Sequence, residues 1–401
     1  MPVNLWSQNH PRGFWRCSPE FGEELWKEAI ESAIPLLALK QQPVDLDRLL
    51  ELVLGEGQFG PNHWMLSRTK RIYYLLKPLL PRAFTRFLRQ MLNKRHTRDF
   101  ELGWPIDDRY PRFQFEILKN LLKLSQRSSL EISPLWPDGK GYAFVLTHDI
   151  ETAEGQQFVR SVVDLEESLG FWSSFNFVPA RYPLDVDLME ELRQRGFEIG
   201  VHGLKHDGKL FNSREKFMQR ATQINRFLQE FKAVGFRAPL THRQPEWMQT
   251  LEIEYDLSFF DSDPYEPIPG GTMCIWPFFL GNFVELPYTL VQDYTLTSVL
   301  GESTPRLWLE KVDFIEKWNG MALINSHPDY LRHPANLKIY ADFLSTMKQR
   351  SGYWHALPKV AARWWRGRSK EQGLANRCSA LATIADGAIM ITPTISTVSV
   401  D

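Results

Sequence analysis

Cysteine is scarce in this chain. Cys17, Cys274 and Cys378 are the only three in 401 residues and form no C-x-x-C pair, which argues against a thiolate metal centre and against a disulfide framework. A reducing compartment fits that usage. Long apolar runs are missing too, since no stretch approaches the ~20 residues of a membrane span. The N-terminal MPVNLWSQNHPRGFW lacks a cationic segment followed by an apolar run of ~7–15 residues, so no signal peptide is recognised and a cytoplasmic location is expected. Charge of one sign is also lacking overall. A formal net charge of −1 gives no global attraction to nucleic acid, and none is expected as a partner.

What is present is the composition of a globular protein, 43% hydrophobic and 24% charged. The length suffices for two domains, or for one α/β barrel of ~200–250 residues with additions. Residues 1–135 read as a helical N-terminal region, with apolar positions three and four apart in Leu25, Ala29, Ala33, Leu36 and Leu37, then Leu46, Leu49, Leu50 and Val53. Within it, residues 68–98 carry ten Lys or Arg and no Asp or Glu, interleaved with Tyr73, Tyr74, Leu79, Phe84 and Phe87. Such a segment suits peripheral contact with an anionic membrane surface, or equally a solvated face on a packed helix. Pro78 and Pro81 interrupt it and oppose one continuous helix.

The Pro/Gly-rich SPLWPDGKG, Ser133 to Gly141, marks a boundary. Beyond it, over 136–368, short apolar runs alternate with helical stretches. Strands are expected at 142–146, 174–178, 197–201, 235–237 and 321–325, and helices at 158–169, 184–195, 211–231, 245–251 and 307–318. That alternation is the signature of a parallel sheet or barrel. The tail, 369–401, is rich in Ala, Ser and Thr, receives no role and has a composition that allows disorder.

Polar residues gather where those strands end, which in α/β barrels is the face that builds sites. FVLTHDIETAEG runs from Phe144 to Gly155 and ends an apolar strand on Asp149 and Glu151. A helix N-cap accounts for such residues as well as a site does. A period of two points both carboxylates the same way. FEIGVHGLKHDG, Phe197 to Gly208, follows the same pattern and ends on His202 and His206, whose spacing places both imidazoles on one face if the chain turns helically, as metal capture requires. VGFRAP sets Arg237 after a strand, INSHPDY sets His327 after another, and EYDLSFFDSDP carries Asp256, Asp261 and Asp263.

In that order, THDIE, HGLKH, RAP, YDLSFFDSD and INSHP resemble the five motifs of the polysaccharide deacetylase superfamily, the carbohydrate esterase family 4 group of chitin and peptidoglycan deacetylases. The resemblance covers about Gly141 to Leu357. Two departures stand out: Ile150 occupies the place of the second Asp of the usual T-F-D-D-G, so that Asp149-Ile150-Glu151 resembles the D-x-D of some relatives with Glu for the last Asp, and the fourth motif has no tryptophan. The resemblance implies an α/β fold, a distorted (β/α) barrel carrying the helical N-terminal region. It implies a metal-dependent hydrolase that removes acetyl groups from an N- or O-acetylated glycan or glycan precursor. Glu151, His202 and His206 would hold one divalent ion, zinc before others; Asp149 would be the general base, Arg237 its partner, His327 the general acid and Asp261 the carboxylate that orients His327. Asp329, Tyr330 and Tyr288 would lie near the rim. A hydrolase of a small or cyclic amide, and a scaffold protein that has lost catalysis, are the alternatives.

The basic segment yields a test. If residues 68–98 meet a membrane surface, binding to anionic vesicles should weaken as salt shortens the screening length to ~8–10 Å. Equal partitioning onto neutral and anionic vesicles selects the packed helix instead.

Overall fold

The computed structural model describes residues 4–61, 63–66, 100–370, 378–385 and 387–395; the basic segment 68–98 lies outside them. One curled α/β sheet organises the rest. Its strands are β2 (Tyr142–Ile150), β3 (Ser174–Phe177), β4 (Glu198–His202), β5 (Gly235–Arg237), β6 (Tyr255–Asp256), β7 (Phe278–Leu280), β8 (Phe283–Glu285), β9 (Met321–Ser326) and β10 (Tyr353–His355). They run β9-β2-β3-β4-β5-β6-β8-β7, with β10 beside the first residues of β2. Every pairing is parallel except β7 with β8. The curl closes only through a few bonds, the amides of Thr289 and Leu290 donating to the Leu323 carbonyl at 3.1 and 3.0 Å. The barrel is therefore distorted, as the family resemblance implies.

Strand β2 is the axis of this arrangement. All nine of its residues are buried, because β9 flanks one edge while β10 and β3 share the other. A strand covered on both faces reads as a nearly continuous apolar run, so the polar Thr147, His148 and Asp149 at its end carry information. The helix that follows, Ala153–Leu169, is capped by the Thr152 hydroxyl, which accepts from the Gly155 amide at 3.2 Å. The cap belongs to Thr152, and neither Asp149 nor Glu151 is needed for it.

The expected helices and strands of 136–368 are present with ends shifted by a few residues, and the long helix occupies Arg214–Glu230. Two expectations change. The N-terminal region contributes a strand, β1 (Ser129–Ile132), besides its helices Glu23–Ala33, Leu46–Val53 and Arg109–Leu124. The tail forms an antiparallel hairpin, β11 (Cys378–Ala385) and β12 (Ala388–Ile395), whose first strand pairs with β1. The boundary near residue 135 is no gap in packing, for one apolar core runs from Leu5 and Trp15 through the barrel to Ala382. Among the described residues no helix is long and apolar enough to cross a membrane.

A buried ion pair fastens the N-terminal region to the barrel. Glu56 accepts from Arg243 Nε at 2.9 Å and Nη2 at 2.7 Å, and from the Gly271 amide at 2.7 Å. The Arg243 guanidinium lies 4.4 to 5.2 Å from the ring centroids of Phe260, Phe259 and Trp64. Burial raises the Glu56 pKa, but the charges of Arg243 and His63 outweigh it and bring it from 4.5 down to about 2. A depressed carboxylate adds stability that is complete above pH 4.5 and is lost as pH falls through 2. Glu56→Gln leaves a buried cation unpaired, so urea unfolding at neutral pH should show a loss of about 3–5 kcal/mol. The deficit relative to wild type should shrink below pH 4.

Candidate active site

Parallel strands deliver their C-terminal ends to one rim, and Asp149, Glu151, His202, His206, Arg237 and His327 of the residues identified from the sequence meet there. Arg237, at the end of β5, has no exposed surface. A guanidinium in that position must be surrounded by acceptors, and it is: Asp149 Oδ1 at 3.1 Å, Asn325 Oδ1 at 2.7 Å, Thr147 Oγ1 at 3.0 Å and the Leu257 carbonyl at 2.8 Å. Asp149 also accepts from Asn176 Nδ2 at 2.9 Å and from Asn325 Nδ2 at 3.2 Å. Burial opposes its charge, yet Arg237, His202 and His327 together hold the carboxyl well below the usual range. Asp149 is an anion at any working pH, and Oδ2 is its less occupied oxygen.

His202 ends β4 with its Nδ1 3.1 Å from the Arg237 carbonyl. A carbonyl only accepts, so Nδ1 carries the proton and Nε2 keeps its lone pair. Burial lowers the His202 pKa to about 4 despite the pull of Asp149, and the ring is neutral. Nε2 is buried with no hydrogen-bond partner and lies 3.8 Å from Asp149 Oδ2. His206 comes back to the same place, with ring centroids 5.0 Å apart and its Nε2 3.0 Å from Glu151 Oε1. The chain does this without a helical turn. It bends at Gly203, where a Cβ would lie 2.3 Å from Pro239 Cγ, and sets His206 itself at φ 50°. One donor atom from each of Glu151, His202 and His206 lies within 4.8 Å of the others. Two imidazoles and a carboxylate with an orphaned lone pair suit a divalent metal cation.

His327 follows β9. Its Nδ1 donates to Asp293 Oδ1 at 2.7 Å and its amide to Asp293 Oδ2 at 2.8 Å. Burial lowers its pKa, but the carboxylates of Asp293, Glu151 and Asp149 overcome that and raise it to about 10, so the ring is protonated. Asp261, expected to orient His327, does not: its Oδ1 accepts from Lys311 Nζ at 2.9 Å, and its Oδ2 lies 2.8 Å from the same ammonium. The cause is geometric, since Asp261 lies in the loop after β6 and faces Lys311 of helix Arg306–Lys317, whereas Asp293 enters where the chain closes the barrel against β9. At the rim, Asp329 accepts from the Glu151 amide at 2.9 Å and from the Thr152 hydroxyl. The Tyr330 ring centroid lies 5.2 Å from that of His327. Tyr288 is no rim residue. It is buried and binds Asp263 Oδ2 and Glu266 Oε1 at 3.1 and 2.9 Å.

Sequence reading missed Asp293, Asn176 and Asn325. The two asparagines had a signal, being polar intruders in apolar strands at positions whose period of two faces the site. Asp293 had none, for it opens a short helical segment 34 residues before its partner.

No family model matches this chain, and no curated protein matches it. Solved structures are similar to it. A candidate polysaccharide deacetylase from Mycobacterium smegmatis has 19% sequence identity over 59% of this chain and 94% of that one, with a TM-score of 0.47. The PuuE allantoinase has 17% identity over 59% and 93%, TM-score 0.45. The peptidoglycan deacetylase PdaC of Bacillus subtilis has 12% over 60% and 98%, TM-score 0.39. At identities this low the functional reading rests on the side chains.

The Asp293 and Asp261 placements are separable by experiment. In the metal-free protein the His327 ring should titrate far above 6.5 by NMR. Asp293→Asn should lower that midpoint, and Asp261→Asn should leave it in place. A raised pKa adds stability that is complete below pH 6.5 and is lost as pH climbs through 10, so Asp293→Asn should narrow the alkaline limit of the fold.

Proposed function

We propose that this protein is a metal-dependent hydrolase that removes acetyl groups from an N- or O-acetylated glycan or glycan precursor. The observation that carries the reading is His202: its Nδ1 is fixed on a carbonyl, and its buried, unpartnered Nε2 faces Glu151 and His206 with Asp149 on one side and protonated His327 near. Glu151, His202 and His206 would hold one divalent cation, zinc by the donor set. Such an ion supplies Lewis acidity, polarising a carbonyl and lowering the pKa of water.

The chain's own groups account for the proton movements. Asp149 Oδ2 takes the proton from the attacking water. A carboxylate this strongly stabilised is a weak base. Arg237 keeps Asp149 ionised and fixed through the transfer. His327, charged at neutral pH, gives a proton to the departing amine or alkoxide, and Asp293 holds its ring orientation and stabilises its charge. Tyr330 and Asp329 lie where a sugar ring and its hydroxyls would rest.

Purified protein loaded with zinc should release acetate from acetylated oligosaccharides. Asp149→Asn should retain zinc and lose about 100-fold or more in turnover, the scale of general-base catalysis. Glu151→Gln should bind zinc less tightly and recover partly in excess metal. Asp149→Asn that loses zinc, beside Glu151→Gln that keeps both zinc and activity, would reverse the two assignments. Release of ammonia or a ring-opened product from a small cyclic amide, with no acetate from any glycan, would move the substrate class.

A further inference from the structure

Behind the rim, on the outer face of the sheet, lies a polar chain that the proposed reaction does not use. His148 on β2 stands in register with Ser326 on β9 and Phe175 on β3. Glu166 Oε1 accepts from His148 Nε2 at 2.7 Å, which leaves Nδ1 to accept from Ser326 Oγ at 2.9 Å. Glu166 takes two further hydrogens, from Ser173 Oγ at 2.6 Å and Tyr340 Oη at 2.5 Å. The Phe175 ring stacks on the imidazole at 4.7 Å and 18°. The order Ser, His, Glu is that of a nucleophile, base and acid. All three side chains have no exposed surface, so no substrate reaches them and that role is excluded.

A phenylalanine at position 148 would fill the same slot between Phe175 and the helices without desolvating an imidazole. A buried polar set costs stability unless every group is satisfied; when satisfied, it fixes one arrangement in preference to others. Here both nitrogens of His148 and both oxygens of Glu166 are used. The neighbours in sequence are what matter. His148 precedes Asp149, Ser326 precedes His327, and Glu166 lies in the last turn of the helix whose first residues follow Glu151.

We propose that the Ser326–His148–Glu166 chain is a positioning device that sets the separation of Asp149, Glu151 and His327 from behind the sheet. That Asp149, Glu151 and His327 take part in hydrolysis rests on the proposed function above; their separation does not. Alternation makes the coupling direct, because a strand that moves its outward residue carries the adjacent inward residue with it. Misplacement by ~1 Å can cost ~100-fold in rate.

The test compares full-length His148→Phe, His148→Gln and Ser326→Ala with wild type, using crystal structures of the metal-free proteins and kinetics of the zinc-loaded ones. Val162→Ala, in the same helix as Glu166 but without a polar group, serves as the stability control. His148→Phe should displace Asp149 relative to His327 by about 0.5 Å or more, the tolerance of a preorganised site. Its kcat should fall about 10-fold or more with KM nearly unchanged. His148→Gln, which restores a donor toward Glu166, should recover part of both. Unchanged separations in folded His148→Phe overturn the proposal, and so does a kcat loss no greater than that of a control with the same drop in melting temperature. If His148→Phe does not fold, Ser326→Ala is judged by the same two readouts. Displaced residues in a variant of a wild type that hydrolyses nothing would leave the positioning role standing and refute the hydrolase reading alone.

Discussion

The site depends on one buried ion pair. Arg237 and Asp149 face each other at 3.1 Å inside the barrel with almost no exposed surface, and a charge so placed is tolerated only when paired and hydrogen-bonded. The consequences spread from there. Thr147, Asn176 and Asn325 are polar in otherwise apolar strands because they complete the shell of this pair. The Arg237 backbone carbonyl fixes the tautomer of His202, so the residue that anchors one carboxylate also aims an imidazole lone pair. The negative charge that remains on Asp149 helps to keep His327 protonated. The proposed base, ligand and acid are thus set by one residue's side chain and carbonyl together.

The two carboxylates at the end of β2 divide their work by depth. Asp149 is inside the strand, held by three side-chain donors and almost fully covered. Glu151 is just past it, partly exposed, and in contact with a single histidine. A group in the first position is held rigidly and one in the second is free to bind something between itself and two imidazoles. The bend at Gly203 brings His206 to meet Glu151 there.

Much of this was legible in the sequence, and the parts that were not have physical reasons. Strand ends stood out because apolar runs stopped abruptly on polar groups, and the alternation with helical stretches gave the parallel sheet. Thr152 as the true helix cap could be inferred only once the helix start was known. Asp293 was hidden because its pairing with His327 is fixed by the closing segment after β8, where no periodicity operates, while Asp261 attracted the assignment through sequence crowding alone. The tail hairpin carried an Asp386-Gly387 turn signal between two β-prone runs, of the kind that sets two-residue hairpins. Its Ala, Ser and Thr content masked that signal. Strand β1 is too short for alternation to register, and it exists because β11 supplies its partner.

The central claim is that a divalent cation belongs between Glu151, His202 and His206. Zinc-soaked crystals measured at the zinc absorption edge test it most directly. The account predicts one anomalous peak about 2.0–2.2 Å from a Glu151 oxygen and from one ring nitrogen of each histidine, that of His202 being Nε2. A peak coordinated by Asp149 with Glu151 turned away, or no peak in a crystal whose His202 Nε2 is accessible to the soak, would contradict it.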